Sequence, residues 1–396
     1  MRNALYRIAA ITASRTAHEN RYSFLKALAA EGNEVMVIDV RHERLRERLA
    51  DYRPSFLLMF CVDYAVLVKE KKSDILSSFS YVTLWDSNPL RALYYLQHHR
   101  CNHLALFAID TAVVQELRLL GFDQSAYFPY YYTDPAVFTP LPCDQRYRHD
   151  VSFAGTFVAP STIRKFIGDH SVPWTQEMEE AWTDFQTQRA ESAAYIDVYG
   201  FLRGRMDIWS REFAKCSTYL MHAQKWLERM HLFRALATDG IDIHVYGGFQ
   251  RCYTHPGMNS GGMSGSDNVH LHDFLDKHSE LPKLYASTAV NLCCTQFPRA
   301  CHERVFQTAA CGAFLLHEKK DDVPLLFEPD KEIVLYESPE ELPSLIRYYL
   351  SRPAERESIA HAARRRFLAE HTPAQRARKF LRLMKDKVAE RAVPAG

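Results

Sequence analysis

The sequence predicts an α/β protein made of two Rossmann-like units in tandem, and three observations carry that reading. Over the first 140 residues, near-continuous apolar runs of strand length alternate with helical segments, the pattern of a parallel sheet covered on both faces. A polar, Pro-containing stretch at 139–149 interrupts the alternation, which then restarts. The length of 396 residues suits two or three domains at roughly 100–200 residues each.

The elements follow in order. Residues 5–12 read as a strand. Residues 20–30 read as a helix, with Tyr22, Leu25 and Leu28 at helical spacing and Gly32 as its cap. Strands are expected at 34–40, 55–62, 80–85, 103–109 and 125–131. Helices are expected at 41–51, 64–77, 89–99 (opened by Pro89) and 111–120 (closed by Gly121). The second series begins with a strand at 151–154. Residues 170–235 are rich in Trp, Met, Gln and Glu with helical periodicity, and read as an inserted or elaborated helical region. Alternation returns with strands at 241–246, 269–271, 289–294, 313–317 and 332–336 and helices at 281–286 and 302–311. A Gly- and Ser-rich loop is expected at 249–267. The end is helical, with Ser-Pro-Glu-Glu at 338–341 and Thr-Pro-Ala-Gln at 372–375 as capping devices.

Composition narrows the functional classes. Lys plus Arg is 49 and Asp plus Glu is 48, which lacks the basic excess of a nucleic-acid binder. No run approaches the ~20 apolar residues of a membrane span, and the first residues do not form a signal peptide. The expectation is a cytoplasmic protein. Nine cysteines, an odd number, with no Cys-x-x-Cys spacing, read as packed thiols rather than a zinc ribbon or redox pair. Neither Gly-x-Gly-x-x-Gly nor Gly-x-x-x-x-Gly-Lys-Ser/Thr occurs, which argues against a dinucleotide-dependent dehydrogenase and a P-loop ATPase.

The sharpest local signal is His302-Glu303-Arg304-Val305-Phe306-Gln307-Thr308-Ala309-Ala310-Cys311-Gly312, a short helix between two apolar strands. Its start falls at the carboxyl end of the preceding strand, where doubly wound sheets bind ligands. Free N–H groups there favour anions, and Arg304 adds a forked cation suited to phosphate oxygens. A solvated or salt-bridged Arg304 is the equally open alternative.

From Leu281 to the C-terminus the chain resembles the C-terminal domain of GT-B glycosyltransferases, and within them the CgeB-like (spore maturation protein B) family. The matching pieces are LPKLYASTAVNL (281–292), RVFQTAACGAFLL (304–316), LFEP (326–329), EIVLYESPEELPSLIRYYL (332–350) and IAHAARRRFLAEHTPAQRARKFL (359–381). Patchier matches lie within 84–156, and none within 157–240. The resemblance implies a GT-B fold, two Rossmann-like domains facing a cleft: an acceptor domain at 1–145 and a nucleotide-sugar domain at 146–371. The latter includes the helical elaboration at about 170–235, and a closing helix at 372–391 crosses back to the first domain. It also implies a nucleotide-diphosphate sugar as donor, a hydroxyl of a glycan, lipid-linked or protein acceptor, and no cofactor or metal. No Asp-x-Asp motif is present.

Candidate donor-side residues follow from position. They are Gly155 and Thr156, Gly247 and Gly248, His272, Arg304, Gln307 and Thr308. Gln307 departs from the family, which the resemblance gives a Glu there to bind ribose hydroxyls. His270-x-His272 lacks a third ligand at suitable spacing, so no metal site is expected. Acceptor-side candidates for catalysis are His18, Asp86 and Asp110, all after strands of the first unit, with helix capping as the alternative for each Asp. Nine Lys/Arg against two Asp/Glu between 364 and 387 suit either a solvated helix face or peripheral contact with the anionic inner membrane face. A non-catalytic nucleotide-sugar binder and a GT-B-fold nucleotide-sugar epimerase are the competing readings.

Overall fold

The computed structural model describes residues 6–13, 19–129, 133–156, 164, 171–192, 195–247 and 267–392. The chain divides into two units, residues 1–134 with 369–396, and residues 135–368. The boundary falls at 134/135 and 368/369, earlier at both ends than the expected 145 and 371. The segment after 135 is held by the second unit: Phe138 packs against Tyr285, Asp144 N donates to Ser287 Oγ, and Tyr147 OH donates to Glu280.

In the first unit the strands are β1 (Arg7–Thr12), β2 (Glu34–Asp39), β3 (Phe56–Phe60), β4 (Tyr81–Trp85), β5 (His103–Ala108) and β6 (Ser125–Tyr127). They form one six-stranded sheet in the order β2-β1-β3-β4-β5-β6, parallel throughout. β3, β4 and β5 are buried at every position, which is why they read as unbroken apolar runs. The expected 64–77 helix is two pieces, Cys61–Lys69 and Ile75–Ser78, divided at Lys71 with its positive φ of 55°. The 89–99 segment is likewise a short helix, Leu93–Leu96, between two 3₁₀ turns.

The helix Pro373–Ala392 belongs to this unit. Its Phe380 is fully buried, with its ring 5.7 Å from those of Phe24 and Phe107 and close to Phe56 and Phe128. The basic stretch is partly consumed by packing. Arg376 is buried against His371, Arg378 pairs with Glu31, and Arg366 pairs with Glu332 within the second unit. Among the described residues no helix is long and apolar enough to cross a membrane.

The second unit holds β7 (Val151–Ala154), β8 (Ile243–Tyr246), β9 (Val269–His272), β10 (Val290–Cys293), β11 (Leu315–Glu318) and β12 (Val334–Tyr336). Their order is β12-β11-β10-β7-β8-β9, again parallel. The 170–235 region forms three helices, Gln176–Glu191, Val198–Arg203 and Arg211–Thr238. The last is no insertion. It is the crossover between β7 and β8, and its Met230, Phe233 and Leu236 pack into the same core as Phe153, Val245 and Leu292. Its extension to 28 residues hid that role in the sequence.

Candidate functional site

In the second sheet the chain runs β7 to β8 to β9 in one direction and resumes at β10 on the other side of β7. The reversal between β7 and β10 leaves a crevice at their carboxyl ends, where open α/β sheets take ligands. Gly155 and Thr156 follow β7, Cys294 follows β10, and the Glu303–Cys311 helix starts above them. His302 caps that helix, its Nδ1 accepting from Arg304 N at 3.2 Å. Burial and the nearby Arg304 and Arg229 keep its imidazole neutral, well below its ordinary pKa.

Arg304 lies flat against the end of β7. A Cβ on Gly155 would stand 2.3 Å from Arg304 Nη2 and 3.0 Å from its Cζ. A side chain at that position would have to displace the guanidinium. The guanidinium is 5.3 Å from the Phe153 ring, with Nη1 3.4 Å from His302 Nε2 and 3.9 Å from Cys293 Sγ. From the facing helix, Arg229 enters the same crevice, 1% exposed and with its guanidinium 5.0 Å from the same Phe153 ring. Its Nη1 donates to the carbonyl of Thr156. Apart from contact with the Cys294 thiol, its Nε and Nη2 have no hydrogen-bond partner among the described residues. Burial, offset in part by that thiol, pushes Arg229 down to about 10. Lys225, one helical turn before Arg229, is pushed well below the usual lysine range by burial and by both arginines.

The crevice therefore gathers two guanidinium groups and an amine with no carboxylate partner among the described residues. A buried charge without a counter-charge is costly, and an incoming polyanion removes that cost. Arg229 and Lys225 were not legible as site residues. They sit in the region that read as an elaboration, and their cue was the grouping Lys225, Glu228, Arg229 on one helical face.

The remaining donor-side candidates divide. Gly247 ends β8, its N–H donating to His272 O at 3.2 Å; Gly248 lies outside the described residues. His272 closes β9 and is engaged by side chains of the neighbouring strand. Its Nε2 meets His244 Nδ1 at 2.9 Å and its ring stacks on Tyr246 at 4.4 Å, within a ladder that includes His149 and His270. Among the described residues no group of His, Cys, Asp or Glu is arranged to hold a metal ion. Gln307 and Thr308 require correction. Gln307 is 2% exposed, and its Oε1 accepts from the Tyr285 hydroxyl at 3.1 Å, so that oxygen is not offered to a ribose. Thr308 Oγ1 donates back to the Arg304 carbonyl at 2.8 Å, and the residue lines an apolar crevice with Val305, Ile359 and Ala363. Both lie one turn or more along the helix from Arg304, on faces turned into the core.

In the first unit the acceptor-side candidates also divide. His18 lies outside the described residues. Asp110 is buried, 1% exposed, and its Oδ1 caps the next helix by accepting from Ala112 N and Val113 N; it is a structural cap. Asp86 is open, its side chain 36% exposed. Its Oδ1 accepts from the Cys61 thiol at 2.7 Å, and its Oδ2 lies 3.6 Å from Arg21 Nη2. Arg21 is anchored below by the fully buried Asp63 at 3.0 Å, which also accepts from Ala13 N and Phe60 N.

A glycosyl transferase-like family model matches residues 226–382, from the helix that carries Arg229 into the closing helix. No curated protein sequence matches the chain. Among solved structures, HepE from Anabaena in complex with UDP and glucose superposes with a TM-score of 0.56 at 10% identity, over 96% of this chain and 99% of that one. Sucrose-phosphate synthase from Thermosynechococcus elongatus gives 0.56 at 14% identity, over 97% and 99%. A glycosyltransferase from Rickettsia africae gives 0.57 at 12% identity, over 97% and 99%. At such identities the likeness establishes the fold: the chain has the two parallel six-stranded α/β sheets of these GT-B structures.

Proposed function

We propose that this chain is a GT-B glycosyltransferase, of the CgeB-like kind its sequence resembles, that moves a glycosyl group from a nucleoside-diphosphate sugar to a hydroxyl. The observation that carries this reading is the uncompensated cluster of Arg304, Arg229 and Lys225 at the β7/β10 reversal. A nucleoside diphosphate supplies the missing negative charge, and its negative charge grows as the glycosyl bond breaks. Fixed guanidinium donors stabilise that developing charge without reorganisation. The arginines thereby do the work a metal ion does elsewhere, so transfer is expected to proceed in the presence of a chelator and without a further cofactor. The matched family model and the UDP bound to HepE support the donor class.

On the acceptor side we propose Asp86 as the group that takes the hydroxyl proton, since it is the one open carboxylate of the two described candidates. The acceptor class is a glycan, a lipid-linked sugar or a protein. A lipid-linked acceptor would suit the remaining exposed Lys and Arg of 364–387 and a peripheral place at the cytoplasmic membrane face. Gln307, locked to Tyr285, gives no ground for a non-catalytic binder. Product analysis with and without an acceptor separates transfer from epimerisation.

The test is titration calorimetry with UDP and GDP. The wild-type chain should bind one of them, and Arg304→Ala should weaken it about 10- to 100-fold, the range of a charged hydrogen-bond pair. Equal affinity in the folded variant would refute the site.

A further inference from the structure

We propose that the helical region between β7 and β8 builds the subsite for the transferred sugar, and that Gln224, Glu228 and Gln296 select a neutral sugar with adjacent free hydroxyls. The proposal rests on the reading of the second unit as a nucleoside-diphosphate-sugar site. Its ground is a second polar cluster beside the cations and unlike them in character.

Gln224, Lys225, Glu228 and Arg229 recur at spacings of three and four on the Arg211–Thr238 helix, so they share one face. Arg229 reaches the ends of β7 and β10. Glu228 is within electrostatic range of Glu318, at the end of β11, and of Lys320 beyond it. Gln224 Nε2 donates to Glu228 Oε1 at 2.5 Å. Glu318 accepts from Thr295 N at 3.1 Å and pairs with Lys320 at 2.8 Å. The Lys320 amine lies 4.7 Å from the Tyr195 ring, and the Tyr195 hydroxyl donates to the carbonyl of Gln296 at 3.1 Å. These contacts link the three residues into one patch.

Within the patch three buried side-chain oxygens, Gln224 Oε1, Glu228 Oε2 and Gln296 Oε1, have no hydrogen-bond partner among the described residues. A buried acceptor without a donor costs about 1–3 kcal/mol, and folded proteins leave few of them. Three together call for a ligand that brings several donors into a small volume. A pyranose ring with neighbouring hydroxyls is such a ligand; a diphosphate, which has acceptors only, is not. The charges also balance. Glu228 and Glu318 face Lys320 and Arg189, so neither an acidic nor an amino sugar gains a net counter-charge. The region unlike the rest of the chain in composition is then the part that reads the sugar.

The experiment compares affinities for UDP with UDP-glucose and for GDP with GDP-mannose by calorimetry, in the full chain and in Gln224→Leu, Glu228→Leu and Glu228→Gln. The wild type should bind the sugar form of one pair more tightly than its bare diphosphate. Each Leu variant should reduce that preference about fivefold, the worth of one hydrogen bond, with diphosphate affinity unchanged. Glu228→Gln, which keeps an acceptor of the same shape, should retain most of it. Unchanged diphosphate affinity also shows that the variants fold. A wild type with no preference for either sugar form, or a preference that both Leu variants leave intact, overturns this inference alone. A wild type that binds neither diphosphate overturns the donor-site reading with it.

Discussion

The two units place arginines in the same topological position and handle them in opposite ways. Each sheet has a strand-order reversal, between β1 and β3 in the first unit and between β7 and β10 in the second. At the first, Arg21 enters with its counter-charges in place, Asp63 beneath it at 3.0 Å and Asp86 beside it at 3.6 Å. At the second, Arg229 and Arg304 enter with neighbouring thiols and a neutral imidazole but, among the described residues, no carboxylate. A buried cation that already has its partner holds the fold and positions Asp86. Buried cations that lack one are held by the fold at a cost that an anionic ligand offsets. Under the proposed donor site, the difference separates a positioning network from a binding site, although both are arginines at the carboxyl ends of strands.

The largest expected effect breaks the first arrangement. Asp63→Ala leaves Arg21 buried beside only Asp86 and removes the acceptor for two backbone N–H groups. It should lower stability by about 3–5 kcal/mol, the range for one lost partner of a buried pair, measured by urea unfolding. The contrasting change, Arg229→Met, removes a cation with no carboxylate to orphan among the described residues. It should leave stability within about 1 kcal/mol of wild type or raise it, while nucleotide affinity falls. Equal destabilisation by the two would erase the distinction between the units.

Next comes binding itself. Arg304→Ala should cost about 1.5–3 kcal/mol of diphosphate affinity with little change in unfolding. Gly155→Ala should mimic part of that loss, because the new methyl would stand where Arg304 Nη2 now lies. A Gly155→Ala variant with wild-type affinity would show that the guanidinium can move without consequence.

Much of this architecture was readable in advance, and the failures have a common cause. Buried parallel strands advertise themselves as apolar runs, as at 56–60 and 103–108. The Gly155–Arg304 pairing was readable in halves: a glycine after a strand, an arginine in a first helical turn. Their contact was not, since it joins positions 149 residues apart (304 − 155) across the sheet. Arg229 was missed for a related reason. A 28-residue helix with polar residues on its buried face does not show core periodicity where it covers a ligand crevice. Gln307 misled in the other direction. A motif position said ligand, whereas the helix phase turns the side chain toward Tyr285.

A smaller effect sharpens the contrast through protons. Lys225 is held well below the usual lysine range by burial and by its two arginine neighbours. An anion entering beside it favours the charged form, so the complex binds more protons than the empty site. Affinity should therefore be greatest at low pH and fall as pH rises above the lowered pKa of the free site, by at most about tenfold per pH unit. Lys225→Met should flatten that slope. A wild-type affinity independent of pH, with no proton uptake in buffers of different ionisation enthalpy, would remove Lys225 from the anion's surroundings.

The smallest expected effect concerns a third way of handling cationic groups, which is to keep them neutral. The groups are His149, just before β7, His244 of β8 and His272 of β9, which stack in a ladder with His270. The His149 and His244 rings stand 3.6 Å apart, and a 2.9 Å hydrogen bond joins His244 to His272. Burial and the other imidazoles hold His149 and His272 below the ordinary value and push His244 down to about 4. Tyr246 and Tyr147 pack alongside, and Asp242 lies 3.3 Å from His270. A depressed histidine pKa means that the unfolded chain takes up protons first. The ladder's contribution is then fully present above about pH 6.5, the ordinary histidine value, and is lost as pH falls from there toward the value of about 4 held by His244. These rings are partly solvated, so the loss should be modest, on the order of 1 kcal/mol. His244→Phe keeps the stack and removes the site of protonation, so its acid limb in a pH series of urea midpoints should be shallower than wild type. Parallel acid limbs would show that the imidazoles titrate independently of folding, and that the second unit manages charge only at its crevice.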